Sequence, residues 1–225
     1  MTVQGTNQAV VAVDNTASGA SYKGLALVTT DSGSRLYATD FHNGKVDVFD
    51  GAFQPVTLSN GFVDPKIPNG FAPFGIAAVV PGRIFVTYAK QDADKADDVH
   101  GQGLGFIDAF DTDGVFLGRI AQHGRLNAPW GLALAPSDFG RFGGDLLVGN
   151  FGDGRINAYA LTNDNKKGLP RGALRGTNHK PLVIEGLWGI AFGNGGAAGP
   201  TNVLYFAAGP GDEAHGLFGS IAAAP

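Results

Sequence analysis

A glycine followed by Leu-Ala or Ile-Ala recurs four times, at Gly24, Gly75, Gly131 and Gly189, separated by 51, 56 and 58 residues. Self-similarity at a period of roughly 20 to 50 residues is the signature of solenoids and propellers, because one repeat cannot bury its own apolar face. After each glycine segment comes a turn rich in Gly, Ser, Pro or Asn, then a second apolar run: Arg35–Thr39, Arg83–Thr87, Asp145–Gly149 and Val203–Ala207. A third run recurs at Lys45–Asp50, Gly105–Asp111, Arg155–Tyr159 and, more weakly, Leu217–Ile221. Val46, Asp47 and Val48 carry the period-two alternation of a strand with one buried face. Fourth strands are expected at Phe53–Leu58, Val115–Ile120 and around Leu182–Ile184, with none after Ile221.

A four-stranded meander at this period is a propeller blade, which buries its faces against its neighbours. A β-sandwich is the rival, but it does not require the same glycine strand at every step. The reading is all-β: one propeller domain over 1–225, with blades at about 16–60, 61–122, 123–184 and 185–225. Gln8–Val13 is expected to be the outer strand of a preceding blade. Crowding of the innermost strands around the axis explains the glycine. Phe74, Trp130 and Trp188, each just before a glycine, are expected to fill the wedges between blades.

Composition excludes several classes. The 36 Gly and 12 Pro sit among 44% hydrophobic residues, which argues for short strands and turns over disorder. A net charge of −4 with scattered basic residues leaves no nucleic-acid footprint. No apolar run reaches the roughly 18 to 20 residues of a membrane helix, and Met1–Asn7 lacks the pattern of a signal peptide. The absence of cysteine removes disulfides and thiol catalysis, and leaves the redox compartment open.

The loops joining second and third strands are the polar ones, and they should emerge on one face. Three of them place an acid two residues before a histidine: Asp40 and His42, Asp98 and His100, Glu213 and His215. With Asn150, Asp153, Glu185 and Asp212 these are the channel-face candidates, and such groups could bind a divalent cation or act as acid and base. Their repetition favours structural turns, in which Asp, Asn or His side chains bond local backbone. Asp92, Asp94, Asp97 and Asp98 could hold calcium in a loop that is mobile without it. They do not form an EF-hand, because Ala96 replaces a ligand, Asp97 stands where Gly is needed, and no Glu closes the loop. There is no G-x-S-x-G nucleophile, and Gly193–Gly196 reads as a turn.

Longer strings carry a resemblance: Tyr37–Gly44, Tyr88–Lys95, Pro129–Pro136, Val148–Gly154 and Gly209–Gly216. The chain resembles an uncharacterised bacterial family of exported NHL-like six-bladed β-propeller proteins, matching their C-terminal two-thirds. The resemblance implies an extracellular or periplasmic location and supplies no catalytic residues. It also implies an incomplete six-bladed ring, since closure at four would turn each blade by about 90° and repack every interface. An open arc exposes apolar blade faces, so the chain is expected to meet missing blades or to self-associate. Two functional classes stay open. One is a non-enzymatic binding or scaffold propeller for a small molecule, glycan or protein. The other is a metal-dependent hydrolase resembling the propeller lactonases, with Glu185, Asn150, Asp40 and Asp212 as ligands.

Overall fold

A computed structural model describes residues 9–224. The readings placed on Met1–Asn7 and on Gln8 lie outside the described residues. Residues 9–13 form no strand, so the expected outer strand of a preceding blade is not formed there.

Four antiparallel sheets follow one another along the chain. The first holds β1 (Tyr22–Thr30), β2 (Gly33–Asp40) and β3 (Lys45–Asp50); the second holds β4 (Phe71–Val80), β5 (Arg83–Lys90), β6 (Phe106–Phe110) and β7 (Phe116–Gln122). The third holds β8 (Pro129–Leu134), β9 (Leu146–Asn150), β10 (Ile156–Leu161) and β11 (Gly168–Ala173); the fourth holds β12 (Leu187–Phe192), β13 (Val203–Ala208) and β14 (Leu217–Ala222). Each is a simple meander, the blade of a β-propeller.

Fourth strands differ from expectation in two blades. In the first, Pro55 and Phe53, with φ +60, reduce the expected strand to a single bridge from Phe49 to Pro55. In the third, the fourth strand is Gly168–Ala173, not the stretch around Leu182–Ile184. Its Pro170 is tolerated because the strand is an edge, where a missing N–H costs no ladder bond.

The inner strands pack in series, β1 on β4, β4 on β8 and β8 on β12, and no comparable packing joins β12 back to β1. All four inner strands carry a register shift at or beside the repeated glycine. A Cβ on Gly24 would lie 2.9 Å from the Phe74 carbonyl oxygen, one on Gly75 2.1 Å from that of Trp130, and one on Gly131 2.6 Å from that of Trp188. Each glycine thus rests on the backbone of the next blade. At Gly189, in the fourth sheet, the nearest atom is the Trp130 ring at 3.7 Å.

Three apolar clusters fill the wedges between blades. Tyr37, Val46 and Val48 meet Ile76, Ile84 and Phe110; Phe85 and Ile107 meet Leu132, Leu146 and Tyr159; Leu147 and Ile156 meet Ile190 and Leu204. Phe74, Trp130 and Trp188 are in none of them. They belong to a fourth cluster with Phe41, Ala72, Ala89, Ala128 and Phe151, drawn from all four blades. The expected wedge role falls to other residues, among them Ile76, Leu132 and Ile190, because the register shift at each glycine breaks the alternation and separates the residue before it from the residue after it.

Candidate functional site

The register places the start of each inner strand beside the end of the second strand: Tyr22 faces Asp40, Pro129 faces Asn150 and Leu187 faces Ala208. The aromatic residues and the polar loops therefore share one end of the propeller. Trp188 is the hub there. Its ring lies 5.9 Å from Phe74, 5.3 Å from Trp130 and 4.2 Å from Phe151, centroid to centroid. Phe74 continues to Phe41 at 5.2 Å, and Phe151 meets the edge of His100 at 5.4 Å. Trp130, Phe151 and Trp188 are only partly buried, so the floor has an accessible side.

Each indole N–H is fixed. Trp130 Nε1 donates to the Lys23 carbonyl at 3.0 Å, reaching from the third blade to the first. Trp188 Nε1 donates to the Glu213 carboxylate. Asp212 and Glu213 are consecutive non-glycine residues in the left-handed region, φ +51 and +64. Such backbone costs about 1–3 kcal/mol per residue and persists only when its surroundings hold it. Here Glu185 accepts from Gly211 N at 2.9 Å, and Glu213 N donates to the Gly209 carbonyl at 3.0 Å.

On the rim, Lys23 Nζ pairs with Asp97 at 3.1 Å and His100 Nε2 lies 3.1 Å from Asp98. Burial pushes the Asp98 carboxyl up, opposed by the charge of His100. Gln91 Nε2 donates to the carbonyls of Phe41 and His42, tying the first two loops together.

The other candidates serve their own turns. Asp40 is buried, and its Oδ1 accepts from Ser21 N at 3.1 Å and Asn43 N at 3.2 Å. Asn150 donates to the Arg125 carbonyl and to Asp153, whose Oδ1 also accepts from Arg155 N. Asp92 accepts from Ala96 N within its own loop, and Asp94 and Asp97 are exposed. His42 and His215 lie beside Gly19 and Gly211. Among the described residues no three His, Asp or Glu side chains converge to hold a metal. Asp40, Glu185 and Asp212, three of the four residues considered as lactonase-type ligands, therefore do not converge as a group.

Phe41, Phe151 and Lys23 went unremarked in the sequence. The signal was there: an aromatic residue follows the loop acid or amide in both Asp40-Phe41 and Asn150-Phe151.

No protein-family model matches the chain. Three uncharacterized proteins of Acanthamoeba polyphaga mimivirus are similar to it. One is 36% identical over 186 residues, covering 80% of this chain and 33% of the relative. The others are 34% identical with 89% and 48% covered, and 33% identical with 89% and 51% covered. The chain thus spans a third to a half of the length of these relatives. They are viral, which overturns the bacterial family that the sequence motifs suggested. Strings such as Val148–Gly154 carry the geometry of a strand and its turn, which any propeller lineage needs, and so they identify the blade better than the lineage.

Solved structures with a similar fold include the luciferin-regenerating enzyme, TM-score 0.58 at 12% identity, covering 90% of this chain and 59% of that one. A gluconolactonase from Xanthomonas campestris gives 0.53 at 16%, covering 91% and 73%. The calcium-binding protein regucalcin from Agrobacterium tumefaciens gives 0.50 at 16%, covering 83% and 53%. At these identities the likeness is one of fold, and the fold of this chain is a β-propeller.

Proposed function

We propose that the chain is a non-enzymatic binding propeller whose recognition surface is the aromatic floor at the axis. The observation that supports this is Trp188, which gathers rings from two other blades and sits under a carboxylate held by left-handed backbone. A half-exposed aromatic floor takes the apolar face of a ring, while Glu213 and the Asp98–His100 pair accept or donate to hydroxyls around it. The ligand class that suits both features is a sugar or a similar polyhydroxylated ring.

The chain has two tryptophans, and both are in this floor. Tryptophan fluorescence, excited beyond the absorption of the five tyrosines, therefore reports on this floor. Titration with a panel of mono- and oligosaccharides is expected to quench or shift the emission for at least one sugar. Trp188→Ala should abolish binding of that sugar as read by calorimetry. A flat emission signal across the panel at millimolar sugar would remove the proposal.

A divalent-metal hydrolase is the second reading, favoured by the folds of the gluconolactonase and regucalcin. Against it, Asp40 and Glu185 accept from backbone N–H groups, while Asn150 Oδ1 is buried without a hydrogen-bond partner. Calcium raising the thermal midpoint, lost in Glu185→Gln, would favour that reading.

A further inference from the structure

A cleft of about 630 Å³ opens between the second and third blades and shares no residue with the aromatic floor. Its walls are the end of β7, the turn that leads from β7 into β8, Tyr159 of β10 and the start of β11. Both blades have a neighbour on each side within the chain. The charged residues lining the cleft are Arg119 and Arg125, with no Asp or Glu, although the chain as a whole carries −4. Arg119 is already matched. It reaches Asp64 and Asp108, and its Nη1 donates to Gln122 Oε1 at 3.1 Å. Arg125 is exposed and forms no ion pair among the described residues.

The turn that carries Arg125 is held in place. The Arg125 carbonyl accepts from Asn150 Nδ2 at 2.8 Å and from Asn157 Nδ2 at 3.4 Å, both buried side chains of the third blade. His123 and Gly124 are both left-handed, φ +54 and +58. The His123 ring is fixed by Nδ1, 3.0 Å from the Gly103 carbonyl, and by its contact with Phe106, centroids 4.8 Å apart. Non-glycine backbone in that region persists only where its surroundings hold it, and successive N–H groups in such turns make anion-binding concavities. The N–H groups of Gly124 and Arg125 bond to no group of the described residues. Tyr159 lines the same cleft. Only 4% of it is exposed, yet its hydroxyl makes no hydrogen bond within the described residues and is not sealed from solvent, so it opens into the cleft. Burial pushes this hydroxyl up to about 12 and the Arg125 charge opposes the rise, so the guanidinium is close enough to act on it.

We propose that this cleft is a second binding site, for a small molecule that carries a phosphate group. The phosphate is held by the Gly124 and Arg125 N–H groups, the Arg125 guanidinium and the Tyr159 hydroxyl. With two N–H groups from the guanidinium, these donors exceed the roughly four lone-pair sites of a carboxylate and suit the three terminal oxygens of a phosphate monoester. The cleft is far larger than inorganic phosphate and falls in the range of small-molecule sites. The phosphate is therefore one end of the ligand, and the remainder lies against Ala121, Gly168 and Pro170.

Amide NMR of the full chain, titrated with inorganic phosphate and with phenyl phosphate, tests this. Saturable shifts are expected at Gly124 and Arg125, with phenyl phosphate bound about tenfold more tightly because its ring covers the apolar wall. Arg125→Gln should weaken phenyl phosphate by about tenfold, with an unchanged thermal midpoint because the side chain is exposed. Tyr159→Phe keeps the buried ring and should weaken it by about fivefold. Arg155→Gln removes an exposed cation in the neighbouring turn and should leave binding unchanged. The absence of saturable shifts at both amides up to millimolar probe overturns the proposal. So does wild-type affinity in Arg125→Gln, or equal binding of the two probes. A loss in Arg155→Gln as large as that in Arg125→Gln also overturns it, since that marks attraction to surface charge alone.

Discussion

Leu25 and Ile76 hold the same place in successive blades, and the difference between them is the difference between an open face and a closed junction. Ile76 is buried against Tyr37 and Val48, while Leu25 faces solvent. The contrast extends to charge. The middle of the third strand carries Asp47 in the first blade, Asp108 in the second, Asn157 in the third and Gly219 in the fourth. At the open face Asp47 needs only water, Lys45 and Tyr22. In the closed junction Asp108 is fully buried, and it is matched by Arg119, which also reaches Asp64 from the loop between blades. A junction admits a carboxylate only when it also supplies a cation.

The largest test of that contrast is Arg119→Met. It leaves two buried carboxylates facing each other, and breaking a buried pair by removing one partner costs about 3–5 kcal/mol. The equivalent change at the open face, Lys45→Met, should cost under about 1 kcal/mol, as exposed pairs do. Urea midpoints measure both, and equal losses would break the distinction between open and closed faces.

A smaller effect is expected from the axis. Gly75→Ala drives a methyl group onto the Trp130 carbonyl and should destabilise by about 1–3 kcal/mol, the usual range for overpacking. Gly189→Ala meets only a ring edge at ordinary contact distance and should be neutral or stabilising by up to about 1 kcal/mol. Destabilisation of both by the same amount would mean that a neighbour also covers Gly189.

The smallest signal is a slope. Burial outweighs the attraction of Arg119 and raises Asp108 to about 7. Between about pH 4 and pH 7 the folded chain then holds a proton that the unfolded chain has released, so stability falls as pH rises through that window. In Asp108→Asn this contribution disappears, and stability measured against pH should decline less over that window than in the wild type. Superimposable slopes for the two proteins would show that Asp108 titrates at its ordinary value.

The repeat was legible because the inner glycine answers a constraint that side chains cannot escape, a neighbouring backbone within 3 Å of where a Cβ would stand at Gly24, Gly75 and Gly131. The third strands were legible from alternation, as at Lys45–Asp50. Edge strands were not, because pairing on one side only tolerates residues of poor strand propensity: Gly168–Ala173 contains two glycines and a proline. In the site, the repetition of the acid-x-His loops favoured structural turns over chemistry, and Asp40 accepts from Asn43 N within its own loop. The aromatic floor was harder to see, since its members lie up to 147 positions apart, from Phe41 to Trp188, and only the common end of four sheets brings them together.

The glycine contacts at the axis also have a mechanical meaning. Where a glycine of one blade rests on a backbone carbonyl of the next, the joint acts as a hinge pin with no room for a side chain at the glycine. The angle about that pin is set farther out, by the volume of residues such as Phe110, Tyr159 and Phe206. Curvature and radius are therefore under separate control. Exchanges among large apolar residues in a wedge can flatten or tighten the bend while the pins stay where they are. A chain built this way can gain or lose a whole blade as a module, because each new joint repeats the same glycine-on-carbonyl contact and the same kind of apolar wedge.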